Sequence, residues 1–236
     1  MQPLISKSIL PWFGGTPAVW TTCMLFFQVV LFRGYLCTHL TTQRLSPRRQ
    51  GWLHIGLLLA ALVMLPIMPD TDWKPQGGEE SVLRIVLLLA VTVGLPFFIL
   101  SATGPLLQGW FSRTYAGTSP YRLYALSNLG SLLALISYPF VFEPAFATWA
   151  QAIFWSWGFA GFALCCSLCA VAMSRHTART VAERDGKAAS LVEEGTIAPP
   201  TLGTRALWFG LATAASVMLL ATTNQVCMDV ALVPFL

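Results

Sequence analysis

The chain has 236 residues, of which 56% are hydrophobic and only 10% charged. A soluble domain carries about a quarter charged residues, and the mean hydropathy here is +0.66, so the composition excludes a water-soluble enzyme and indicates an integral membrane protein. The net charge of +4 comes from residues scattered between apolar runs, which argues against a nucleic-acid surface and makes charge a guide to topology.

A spanning helix needs about 20 mostly apolar residues. Such runs predict an all-α, polytopic bundle of about six transmembrane helices, over residues 18–39, 51–68, 82–100, 123–142, 149–173 and 206–222. The implied organisation is an external N-terminal segment at 1–17, a five-helix membrane bundle at 18–173, a linker at 174–205, and a sixth helix with a C-terminal segment at 206–236. Residues 1–11 are too short for a signal-peptide core and are followed directly by a run of spanning length.

In the first helix Gln28 lies deep and is expected to hydrogen-bond a neighbouring helix or line a substrate path. Arg33 lies closer to the helix end, where it can snorkel. The next connection carries Arg44, Arg48 and Arg49 without an acid, whereas residues 69–80 carry Asp70, Asp72, Glu79 and Glu80 against Lys74. Arg84 opens the third helix, Pro96 interrupts it, and Gly104-Pro105 follows, so the chain from Val93 to Trp110 is expected to kink and then run near the membrane face. Broken helices line substrate sites in transporters, which makes Pro96 a candidate.

In the fourth helix Ser127, Gly130, Ser131 and Ala134 recur at i, i+3, i+4 and i+7, a stripe of small residues for close approach of another helix. Tyr121, Tyr124 and Asn128 share an adjacent face, with Arg122 at the interface. This aromatic and basic entrance completes the substrate-path candidates. In the fifth helix Cys165, Cys166 and Cys169 lack a second pair or a histidine at ligand spacing, so they read as small hydrophobes, as do Cys23 and Cys37. His39, His54 and His176 have no carboxylate or cysteine at such spacing either. No metal site, cofactor or catalytic constellation is expected. Residues 174–205 are mixed in charge, close on Pro199-Pro200, and read as the most mobile part of the chain.

The connections alternate in charge. Arg44, Arg48, Arg49, Arg113, Arg122, Arg175, Arg179, Arg184, Lys187 and Arg205 fall on one side, against Lys7 and Lys74 on the other. The positive-inside rule puts the first group in the cytoplasm and the N-terminus outside. Trp20, Trp52, Trp110, Trp149 and Trp208 lie near the predicted helix ends and read as interfacial anchors.

Four segments together resemble the membrane region of the polytopic spermidine-synthase-like proteins, in which a major-facilitator-like module is fused to an aminopropyltransferase-like domain. They are QPLISKSILPWFGGTPAVW (2–20), MLFFQ (24–28), LPFFILSATGPLLQ (95–108) and PYRLYALSNLGSLLA (120–134). The resemblance covers about the first 175 residues well and the remainder loosely. It implies a bacterial inner-membrane location, a helix preceding Gln2, and further helices leading to a soluble catalytic domain, so the chain is expected to be truncated at both ends. It also implies a non-catalytic, transporter-like module concerned with small molecules or polyamines, without aminopropyl transfer. The alternative is a membrane anchor or assembly subunit. The expected partners are the lipid bilayer and either other transmembrane helices or a soluble aminopropyltransferase-like domain.

Overall fold

The computed structural model describes residues 2–9, 11–13, 17–70, 73–74, 81–114, 121–186 and 201–230, and every regular element among them is helical. The chain divides into two units, residues 1–188 and 189–236. Among its described residues the second holds one long helix, and each unit is described by itself.

The first unit begins with α1 (Gln2–Ile9), α2 (Pro17–Arg44), α3 (Pro47–Val63) and α4 (Ser81–Leu89). A π-helical turn, Ala90–Gly94, leads from α4 into α5 (Leu95–Thr114). Then come α6 (Tyr121–Ser137), a second π-helical turn at Tyr138–Phe142, the short α7 (Glu143–Ala145) and α8 (Thr148–Gly186). The second unit is α9 (Leu202–Val230).

Among the described residues four helical stretches are long and apolar enough to cross a membrane: Val19–Arg44, Val82–Ser112, Arg122–Ala145 and Thr148–Arg175. The fold is thus all-α and multipass, with four such spans where the sequence suggested about six. The second predicted run, 51–68, folds as α3. Ser46 caps this helix, accepting a hydrogen bond from the Arg49 N–H, and Pro47 supplies a preset φ at its first position. It has 17 residues, or about 25 Å at 1.5 Å per residue, short of the roughly 30 Å hydrocarbon layer. Pro66 and Pro69 follow, and proline cannot continue a helix. The sixth predicted run lies within α9.

The packing follows small residues. In lipid the hydrophobic effect between helices is weak, so close backbone approach and hydrogen bonds decide which faces meet. α8 buries Ala152, Phe159, Ala163, Cys166 and Ala170 at heptad-like steps, and packs on α3. α2 packs along α5 through Gly34. Of the free cysteines, Cys23 and Cys166 are buried, whereas Cys165 and Cys169 are exposed.

Several expectations change. The N-terminal segment at 1–17 contains α1, whose Leu4, Ile5 and Ile9 are buried. The stretch from Val93 to Trp110, where a kink is expected, is helical throughout, with a π turn at its start. A proline ring clashes with the carbonyl four residues earlier, and for Pro96 that is Thr92, inside the π turn, where the wider winding makes room. Pro139 lies in the other π turn. Pro105 is carried within α5, and the Thr38 hydroxyl donates to the nearby Ala102 carbonyl at 2.9 Å. α8 continues to Gly186, past the expected end at Met173. The rest of the predicted linker (187–200), most of the acidic connection (71–72 and 75–80) and the C-terminal 231–236 lie outside the described residues.

Trp110 is the clearest correction. It is 5% exposed, and its indole N–H donates to Gln50 Oε1 at 3.0 Å, so it is a core residue and not an interfacial anchor. Trp20, Trp52, Trp149 and Trp208 are exposed.

Candidate functional site

The stripe on α6 faces space rather than another helix. Residues 122–136 are exposed apart from the half-buried Leu123, and a Cβ added at Gly130 would meet no atom within 4 Å. Ser127, Gly130, Ser131 and Ala134 form one wall of a cleft of about 1000 Å³. The opposite wall is Phe97 and Leu100 of α5 with Trp155 and Phe162 of α8; Leu135, Tyr138 and Pro139 complete it. The π turn before α5 contributes here, because one extra residue per turn rotates the following helix by about 100° and so chooses which α5 residues face the cleft. Trp155 stacks on Phe159, one turn along α8, with ring centroids 5.3 Å apart.

Beyond Ala134, Tyr138 and Trp155, which border both spaces, an inner chamber of about 270 Å³ is lined also by Leu4, Ser137, Phe142, Gln151 and Phe154. Gln151 is 7% exposed. Its Nε2 donates to the Phe146 carbonyl at 2.7 Å and to the Phe142 carbonyl at 3.3 Å. Carbonyls only accept, so these bonds fix the amide orientation. They leave Oε1 on the other side, buried and without a hydrogen-bond partner. A buried acceptor left unmatched costs about 1–3 kcal/mol.

A second polar group of residues ties the other end of the bundle together. Gln50 accepts from Trp110 and donates through Nε2 to Thr42 Oγ1 at 2.8 Å and Thr41 Oγ1 at 3.2 Å. The indole can only donate, which settles the amide's orientation here too. Thr103 donates its one hydroxyl proton to the Ile99 carbonyl at 2.7 Å. It must therefore accept from His54 Nε2, 3.1 Å away. These bonds connect α2, α3 and α5, and the cavity among them, about 20 Å³, is of water size. Replacing Thr103 by valine is expected to lower stability by about 1–3 kcal/mol, because His54 is only 4% exposed and loses its acceptor; thermal unfolding in detergent checks this.

Of the substrate-path candidates, Pro96 is buried, while Gln28, Arg122, Tyr124 and Asn128 are exposed and do not line the cleft. The side chain of Tyr121 lies outside the described residues. The small-residue stripe is the part of the predicted set that the fold assembles into one place. Arg33 is exposed on α2, and Arg84 donates to the Trp73 and Lys74 carbonyls, each at 3.1 Å. Lys74 in turn sits 5.6 Å above the Trp12 ring. Reading along the chain overlooked Gln151 and Gln50; their signal was an amide within an otherwise apolar or basic helix start. Among the described residues no group of His, Cys, Asp and Glu could hold a metal ion. No protein-family model matches the chain, and no curated protein or solved structure matches it.

Proposed function

We propose that the chain is a non-catalytic, transporter-like membrane module of the kind carried by polytopic spermidine-synthase-like proteins, and that the cleft beneath α6 is its small-molecule site. The observation that carries this reading is the cleft itself: a space of about 1000 Å³ with aromatic and apolar walls and few polar groups, the composition of ligand sites in general. In this reading the chain crosses the bacterial inner membrane six times with its N-terminus outside. α3 and α9 join the four long spans, and the bilayer thins locally around the short α3.

Uptake of labelled polyamine into liposomes reconstituted with the full chain tests the function. Wild type is expected to accumulate label, and Gly130→Phe and Ala134→Phe, which fill the cleft from an exposed wall, to lose at least tenfold. Absence of uptake by wild type would sink the transport reading. For topology, single cysteines at Arg44 and Lys74, with the six native cysteines replaced, are expected to react from opposite faces of sealed vesicles. Labelling of both from one face contradicts the proposed orientation.

The open space above Gly130 favours a second reading, a membrane anchor or assembly subunit whose stripe receives a partner helix. Retained association with helices supplied in trans, lost in Gly130→Phe and coupled with no uptake, would select it.

A further inference from the structure

We infer that the C-terminal half of α2 carries a groove for an anionic phospholipid, whose phosphate is received by Arg33 and Arg44 and whose acyl chain lies along Leu36 and Leu40. The site is separate from the cleft beside α6 and does not depend on it.

The groove has a volume of about 440 Å³ and is lined by Arg33 and Arg44 together with Leu36, Leu40 and Leu45. Positions 33, 36, 40 and 44 recur at i, i+3, i+7 and i+11, so they share one face of a helix that runs unbroken from Pro17 to Arg44. Both arginines and Leu36 and Leu40 are exposed, so a molecule in the bilayer reaches them.

Charge selects the occupant. The chain has no Asp or Glu before Asp70, so nothing near in sequence offsets the two guanidiniums. Arg48 and Arg49, exposed on the first turn of α3, add to the positive field at the same end of α2. Basic pockets beside spanning helices receive anionic head groups in this way. Depth adds to the demand for a counter-ion. Arg33 lies about three turns, or 16 Å, before Arg44 and inside the Val19–Arg44 span, where an uncompensated charge is costly. Helical side chains lean toward the N-terminus, which tips Arg44 along the groove toward Arg33, and a phosphate between them meets two guanidinium forks. A free phosphate would satisfy the arginines but gain nothing from the exposed leucines. An acyl chain covers them, which favours the lipid.

The test adds dioleoylphosphatidylglycerol or dioleoylphosphatidylcholine stepwise to the full chain, delipidated in detergent, and reads the affinity for the first lipid by native mass spectrometry. The two lipids share tails and differ in head-group charge. Wild type is expected to bind phosphatidylglycerol at least tenfold more tightly. Arg33→Gln and Arg44→Gln are each expected to lose at least threefold of that affinity, and the double variant to bind both lipids alike, with helical content checked by circular dichroism. Arg175→Gln, which removes an exposed arginine of α8 outside the groove, is expected to stay within twofold of wild type. Millimolar inorganic phosphate is expected to leave the lipid in place.

Equal affinity of wild type for the two lipids overturns the inference. So does a loss in Arg175→Gln as large as that in Arg33→Gln, which would mark diffuse attraction and no groove. Displacement of the lipid by millimolar phosphate overturns it in favour of a soluble anion. A dimer of the chain that dissociates in Arg33→Gln, without preference between the lipids, overturns it in favour of an acid carried by a second copy.

Discussion

Gly34→Val is expected to lower the stability of the bundle by about 1–3 kcal/mol, the range for overpacking a well-packed contact, and at the upper end of it. A Cβ at Gly34 would lie 2.6 Å from Ser101 Cβ and 3.1 Å from both the Ala102 nitrogen and the Phe98 carbonyl oxygen. Two of these neighbours are backbone atoms of α5, so no rotamer change relieves the clash and the helices must separate. Separation loosens the Thr38 to Ala102 hydrogen bond, 2.9 Å long, one turn away. Gly34→Ala is expected to move in the same direction to a smaller degree, although alanine suits a helix better than glycine by about 1 kcal/mol. Gly130→Ala, with open space around it, supplies the contrast and is expected to leave stability unchanged or raise it. Thermal unfolding of the three variants in one detergent reads the effect, and equal midpoints for Gly34→Val and wild type would refute the close contact.

The second large effect is expected at Gln50. Gln50→Leu removes the acceptor of the buried Trp110 indole and the donor to Thr41 and Thr42, and is expected to cost about 1–3 kcal/mol. Trp110→Phe removes the other partner and leaves Gln50 Oε1 buried without its donor, with a similar cost. The double variant is expected to be less destabilised than the sum by about 0.5–3 kcal/mol, because removing both ends of a bond leaves neither one stranded. Strict additivity in a double-mutant cycle would show that the 3.0 Å contact contributes nothing of its own.

The two predictions fall on residues whose roles differ in how far they could be read from the chain. Gln50 sits in a segment whose arginines dominate any reading of topology, and Trp110 lies near an expected helix end, where an indole ordinarily anchors to the interface. What distinguishes it is that α5 runs on to Thr114, which carries the indole inward against α3. Gly34 lies among large apolar residues, and a single glycine does not say whether a neighbour comes close. By contrast, the Ser127–Ala134 stripe was legible, since four small residues at helical spacing define one face whatever surrounds it. Whether that face meets a helix or a cleft depends on how far α6 stands from α5 and α8, and no local pattern encodes that distance.

Gln151 shows the same division. Its position four residues inside a helix start is visible in the sequence, yet its function as a capping donor depends on the turn that presents the Phe142 and Phe146 carbonyls. Pro96 signalled an irregular helix, and irregularity does occur beside it, as a π turn; a second π turn holds Pro139. The chain continues helically because one wider turn relieves the proline clash without breaking the ladder.

By itself, then, the sequence determined the all-α multipass character, the positions of the long apolar runs, the charge alternation and the small-residue face of α6. These follow from composition and helical periodicity, which each segment carries within itself. The tertiary structure decided which glycine is a contact, that Trp110 is buried, that α3 is short, and that the stripe walls a cleft against α5 and α8. Those depend on distances between helices remote in sequence, set by the joint fit of small residues and hydrogen bonds across α2, α3, α5 and α8, where lipid supplies little driving force of its own.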